Sequence, residues 1–199
     1  MLRRRVGAAL TGLGAVLLTV AGSRYTTGAL RADEARRAWD AARARQAVAN
    51  AHAAAWNPAR SVALVTGAPV AHLLIPRIGL DEIVLEGVDG DELNAAPGHV
   101  PGSALPGNAG NAVISAHRDR HFSHFGELHL GDTVTTETLG KRTNWVIVKR
   151  QVIDKNAPAL FRTDGATLTL TTCWPIRYLG SAPDRLILTA KPIAPRVLD

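Results

Sequence analysis

Ala166-Thr167-Leu168-Thr169-Leu170-Thr171-Thr172-Cys173-Trp174-Pro175 alternates apolar and hydroxyl side chains up to a thiol and then breaks. A period of two is the mark of a strand with one buried face, and β-branched threonine favours that conformation. Trp174-Pro175 forces a turn, so Cys173 stands at the end of the strand, where a side chain can meet solvent. It is the only cysteine in the 199 residues, which excludes an internal disulfide and leaves packing or reactivity. Free cysteine is commonly a small buried hydrophobe, so the surrounding sequence has to decide between the two.

Outward from this strand the same grammar repeats. Leu73-Leu74-Ile75 precedes Pro76, Ile83-Val84-Leu85 leads to Gly87, and Asn111-Ala112-Val113-Ile114-Ser115 leads to His117. Residues 132–138, 144–152 and 185–190 are further strands, while 91–94 and 123–128 each suit a single helical turn. Seven to eight short strands with one or two short helices predict an all-β fold, a closed or nearly closed barrel, over residues 70–199.

The first third of the chain is different. Arg3, Arg4 and Arg5 precede 17 uncharged residues, 6–22, which reads as a cytoplasmic tail (1–5) followed by a transmembrane anchor, with a cleaved secretory signal as the competing reading. Residues 23–69 form a stalk and linker. Ala and Arg dominate its 30–56 stretch, which lacks Gly and Pro up to Asn57-Pro58 and offers few large apolar side chains, so a solvated helix is expected. The net charge of +6 includes those three arginines, and the remaining balance is near even, giving no footprint for nucleic acid.

Seven histidines are available to pair with the thiol. Only His117 closes an apolar strand as Cys173 does, and an imidazole there can serve as the base and acid of thiol chemistry. His117, His121 and His124 are spaced as zinc ligands could be, but the local Gly, Asp and Arg content opposes a helix and no glutamate stands between the first two. His117-Arg118-Asp119 spells the start of a kinase catalytic loop without the asparagine that follows in that family. Asp119 is a candidate to orient His117. Arg185 opens the apolar run Leu186-Ile187-Leu188, and a guanidinium fixed there can stabilise an oxyanion in acyl transfer.

A strand ending Ser115-Ala116-His117, a strand ending Thr169-Leu170-Thr171-Thr172-Cys173 and a strand opened by Arg185 together resemble the sortases, the membrane-anchored cysteine transpeptidases of bacteria. The Thr169 to Cys173 run matches that family's T-L-x-T-C signature at every fixed position, and the likeness extends over residues 72–191. Leu74-Ile75-Pro76-Arg77-Ile78-Gly79, Gly98-His99-Val100-Pro101-Gly102-Ser103 and Gly110-Asn111 are similar to its opening strands and turns. Cys173-Trp174-Pro175 followed by Gly180-Ser181-Ala182-Pro183 looks most like the class D enzymes.

The resemblance implies a single-pass protein of the bacterial cytoplasmic membrane with its catalytic domain on the extracytoplasmic side, needing no cofactor and no metal. It implies cleavage of a C-terminal sorting motif of the Leu-Pro-x-Thr-Gly kind through a thioester on Cys173. The product is then joined to an amine acceptor, a cell-wall precursor or a pilin lysine. His117 would be the general acid–base, Arg185 the holder of substrate backbone and oxyanion, Thr172 a substrate-positioning residue, and residues 144–161 a wall of the groove. An exported cysteine peptidase that only hydrolyses, or a catalytically silent membrane-tethered binding barrel, are the alternatives. The L,D-transpeptidases place His and Cys in one Ser-x-Gly-Cys segment, which this chain lacks.

Overall fold

The computed structural model describes residues 2–52, 64–157, 163 and 165–193. Helix α1 (Leu2–His52) is followed by strands β1 (Pro69–Ile75) and β2 (Leu80–Glu86), helix α2 (Gly90–Ala95), β3 (Gly98–His99) and β4 (Asn111–Ser115). Then come β5 (Thr133–Glu137), β6 (Arg142–Asp154), β7 (Thr167–Trp174) and β8 (Asp184–Pro192), with 3₁₀ turns at Pro76–Ile78 and Phe125–Glu127. The eight strands among the described residues close in the order β1-β2-β3-β4-β7-β8-β6-β5, and β5 pairs back onto β1. Two contacts are parallel, β2 with β3 and β4 with β7, and the others are antiparallel. The all-β barrel expected from the alternating pattern is therefore present.

Alternation decides which side chains fill it. Ala71, Leu73 and Ile75 of β1, Ala112 and Ile114 of β4, Leu168 and Leu170 of β7, and Leu186, Leu188 and Ala190 of β8 meet in one buried cluster. Successive residues of a strand point to opposite faces, so the intervening residues of β4, β7 and β8 face outward. Phe122 and Phe125, stacked at 3.9 Å, cap the cluster from the connection after β4.

Two departures from expectation concern α1. Residues 6–22 are the start of one unbroken helix, and the membrane-spanning reading is not supported. Among the described residues no helix is long and apolar enough to cross a membrane. Seventeen residues rise only about 26 Å against a hydrocarbon core of about 30 Å, and Gly7, Gly12, Gly14, Thr11 and Thr19 dilute their hydropathy. The later part of α1 is not a freely solvated stalk either. Ala35 and Trp39, the latter 2% exposed, pack with Ile83, Leu85, Ala95 and Ala96 in a second apolar cluster. Ion pairs Arg36–Asp81 at 2.8 Å, Arg31–Asp91 at 3.2 Å and Arg43–Glu137 at 3.2 Å flank it. The expected helix stop at Asn57-Pro58 lies outside the described residues.

Candidate active site

Two of the three candidate residues belong to neighbouring strands, and the third, His117, lies two residues past the end of β4. Cys173 of β7 is the register partner of Arg185 of β8 in an antiparallel ladder. Ser115 of β4 is the partner of Thr171 of β7 in a parallel ladder, and the Ala116 N–H donates to Thr171 O at 3.2 Å. Two residues further along the two segments stand His117 and Cys173, at the same end of the β4–β7 pair. Parity does the rest. Leu168, Leu170, Leu186 and Leu188 point inward, so Cys173 and Arg185 share the outer face of β7 and β8, and His117 follows the core residue Ala116 just past β4. All three are partly exposed, which a reacting group needs.

Thr172 has the opposite parity. It is 1% exposed, and its hydroxyl donates to Ala116 O at 2.7 Å. The residue expected to touch substrate thus faces the interior and clips β7 to the backbone immediately before His117. Thr169 and Asn111 form a second cross-strand link, Oγ1 donating to Oδ1 at 2.9 Å.

The loop after β4 is built on His117. Its carbonyl accepts from the N–H groups of Arg120 at 3.3 Å and Phe122 at 3.1 Å, and Phe122 is anchored in the core. Burial lowers the pKa of the imidazole below the ordinary value of 6.5. Asp119 opposes that shift through its charge, and Arg120 and His121 add to it. No hydrogen bond joins Asp119 to His117, so its influence is electrostatic. The rival histidines are engaged elsewhere: His121 Nδ1 lies 3.2 Å from Glu82 Oε1, and His124 Nδ1 lies 2.8 Å from Glu127 Oε1. The arrangement offers a partly exposed thiol, imidazole and guanidinium at one end of the β4-β7-β8 surface, a set suited to acyl transfer.

Arg185 spends one contact on its neighbour, Nη1 donating to Asp184 O at 3.1 Å. Its donor-rich fork presents more N–H groups than that contact uses. At the far end of β8 from Pro192, Ile153 and Asp154 of β6 pair with Arg185 and Asp184, so the end of β6 lies next to Arg185. Residues 158–161 of the expected groove wall lie outside the described residues.

Two features were not read from the sequence. Arg118 holds carbonyls of the β7–β8 connection, and His99 forms a buried cluster with Glu86. His99 is 0% exposed; its Nδ1 lies 2.6 Å from Glu86 Oε2, and its Nε2 lies 2.9 Å from both Ala104 O and Ser103 Oγ. The ring ties β2 to the turn between β3 and β4.

With barrel, strand order and thiol face established, comparison with known proteins assigns the class. Residues 73–193 match the family model described as Sortase domain, and the chain belongs to the sortase family. Sortase D of Bacillus subtilis (strain 168) is 35% identical over 128 residues, 63% of this chain, and the chain spans 65% of that relative's length. The catalytic domain of SrtD from B. anthracis superposes with a TM-score of 0.56 at 29% identity, covering 71% of this chain and 97% of that one. A Clostridium perfringens Sortase D5 transpeptidase gives a TM-score of 0.65 at 22% identity, with 85% and 99% coverage, a likeness of fold. The class D-like reading is supported by these relatives.

Proposed function

We propose that this chain is a cysteine transpeptidase that cleaves a C-terminal sorting motif of the Leu-Pro-x-Thr-Gly kind and passes the acyl group to an amine. The observation that supports the proposal is the pairing of Cys173 with Arg185 across β7 and β8, with His117 two residues past the Ser115–Thr171 pair at the same end. Membership of the sortase family adds to it.

In this reading the Cys173 sulfur attacks the carbonyl carbon after the motif's threonine, and His117 takes the thiol proton. The lowered basicity caused by burial keeps its imidazole neutral near pH 7, ready to accept. Arg185 donates to the oxyanion of the tetrahedral intermediate. Collapse breaks the peptide C–N bond, His117 gives its proton to the leaving amine, and a thioester remains. An incoming amine then attacks the thioester, His117 receives its proton, and the sulfur departs and recovers it. Thr172 supports this by fixing the backbone ahead of His117 rather than by meeting substrate.

The natural substrates are proteins bearing a sorting signal, and the acceptor is a cell-wall precursor or pilin lysine. Work at the extracytoplasmic face of the membrane belongs to the same reading, with attachment through the start of α1. Its supports are Arg3, Arg4 and Arg5 and the exposed apolar side chains of Leu13, Val16, Leu17, Leu18 and Val20. Tethering raises the local concentration of enzyme at membrane-emerging substrates.

The test is incubation of the full chain with a sorting-motif peptide library, with and without an amine. Mass analysis is expected to find a Cys173 thioester and an amide product. Hydrolysed peptide alone at saturating amine would instead make the chain a peptidase.

A further inference from the structure

Arg118 is the residue after the histidine, yet its side chain serves the segment after the cysteine. Nη1 donates to Pro175 O at 2.8 Å, and Nη2 donates to Tyr178 O at 3.0 Å and to Gly180 O at 2.8 Å. Its guanidinium carbon also lies 5.7 Å from the centroid of the Tyr178 ring. One half-buried planar cation therefore gathers three carbonyls of a single loop and stacks against its aromatic side chain.

That loop joins β7 to β8 and so links the two partners Cys173 and Arg185. Its base is seated, with Trp174 and Ile176 packed against the core cluster. Its tip is not: Leu179 is 98% exposed and Tyr178 48%. Residues 176–181 form no strand ladder, so the carbonyls of the tip depend on whatever donor reaches them. Arg118 is that donor for Tyr178 and Gly180.

We propose that Arg118 is a positioning residue for acyl transfer, holding the 175–180 loop as a fixed wall beside Cys173 against which the substrate peptide binds. The inference rests on the transpeptidase reading for its substrate, and on the three hydrogen bonds for its mechanism. A loop released from Arg118 has to be ordered by the substrate itself, and that ordering cost appears as weaker binding. Lysine cannot replace it, because one ammonium cannot reproduce a planar fork aimed at three carbonyls.

The test compares Arg118→Ala, Arg118→Gln and Arg118→Lys with the parent full-length chain. The sorting-motif peptide supplies kcat and KM, and limited trypsin digestion supplies the rate of cleavage after Arg177. All three variants are expected to raise KM about tenfold or more while kcat stays within about threefold, the pattern of lost binding rather than lost chemistry. The pH profile keeps its acid limb, since His117 is untouched, and cleavage after Arg177 accelerates at temperatures where the barrel is folded. Parent-like KM and parent-like nicking in Arg118→Gln would overturn the proposal, as would full recovery by Arg118→Lys. A parent chain that forms no thioester would defeat the transpeptidase reading separately, and Arg118's role in transfer with it. The nicking rate would then still report whether Arg118 holds the loop.

Discussion

Cys173 and Arg185 are cross-strand partners, directly opposite one another where β7 and β8 run antiparallel, with both side chains on the outer face of the barrel. Directly opposed residues have Cβ atoms roughly 4.5–5.5 Å apart, so backbone pairing alone delivers a guanidinium to the neighbourhood of the sulfur. Arg177 has no such placement; it lies exposed in the connection between the strands. Arg185→Ala is expected to cost about 10²–10³-fold in turnover, on the scale of one oxyanion donor. Arg185→Lys should restore little, and Arg177→Ala should stay within about tenfold of the parent. Steady-state kinetics of the three variants on one peptide checks the ordering, and the reverse order contradicts it.

The pH dependence follows from the surroundings of His117. Burial disfavours the imidazolium, so the folded chain binds this proton less readily than the unfolded one. Its contribution to stability is complete above about pH 6.5 and is lost as pH falls through the lower folded value. The acid limb of kcat/KM belonging to His117 should therefore lie below 6.5. Asp119→Asn removes the charge that opposes the shift and should move the limb further to acid. Titration of the His117 ring by NMR in parent and variant measures this, and a move toward alkaline pH would contradict the electrostatic role given to Asp119. His117→Ala should lower turnover by about 10²–10⁴-fold.

Thr172 provides a third test. Thr172→Val keeps the shape and deletes the donor that Ala116 O uses inside the barrel, at an expected cost of about 1–3 kcal/mol in stability. Turnover should fall as well, because the backbone before His117 loses its tie to β7. Thr172→Ser should restore both. Urea unfolding and peptide kinetics on the pair supply the comparison; an unchanged Thr172→Val would show that the hydrogen bond contributes nothing.

The Glu86–His99 pair is buried far along the chain from the thiol strand. Removing one member strands the other in the interior, and His99→Ala is expected to destabilise the fold by about 3–5 kcal/mol. A Glu86→Leu, His99→Leu double variant should lose less than the sum of its single changes, because it removes both partners of the Glu86–His99 contact together. Denaturant unfolding of the double-mutant cycle reads this coupling directly. Additive losses would mean that the 2.6 Å contact is not an energetic pair.

Much of this was legible before any coordinates, for a physical reason. Leu168, Leu170, Leu186 and Leu188 carry the period-two signal of a one-sided strand, and strand ends follow from Pro175 and from Gly and Pro near the turns. That placed His117, Cys173 and Arg185 at strand ends and gave the barrel. The same parity also held the orientation of Thr172, which shares its phase with Leu168 and Leu170; its inward face was readable from the alternation. Other features carried no local signal. β3 is two residues long and exists only because β2 and β4 lie on either side of it. Trp39 is one large side chain in a helix of alanine and arginine, and only the apolar patch of Ile83, Leu85 and Ala95 opposite it makes it a core residue. Arg118 finds its carbonyls 57 to 62 residues away, a distance that no local pattern encodes.

The central claim, that Cys173 carries the acyl group, is tested most directly by intact-mass analysis of the full chain mixed with a sorting-motif peptide, alongside Cys173→Ala. The parent is expected to gain the mass of the acyl fragment at Cys173, to lose it to hydroxylamine, and to yield the amide when an amine is added. Cys173→Ala should show neither adduct nor product, since the chain holds no second thiol. Amide product from Cys173→Ala at the parent's rate, or turnover by the parent through an adduct on any other residue, would contradict the account.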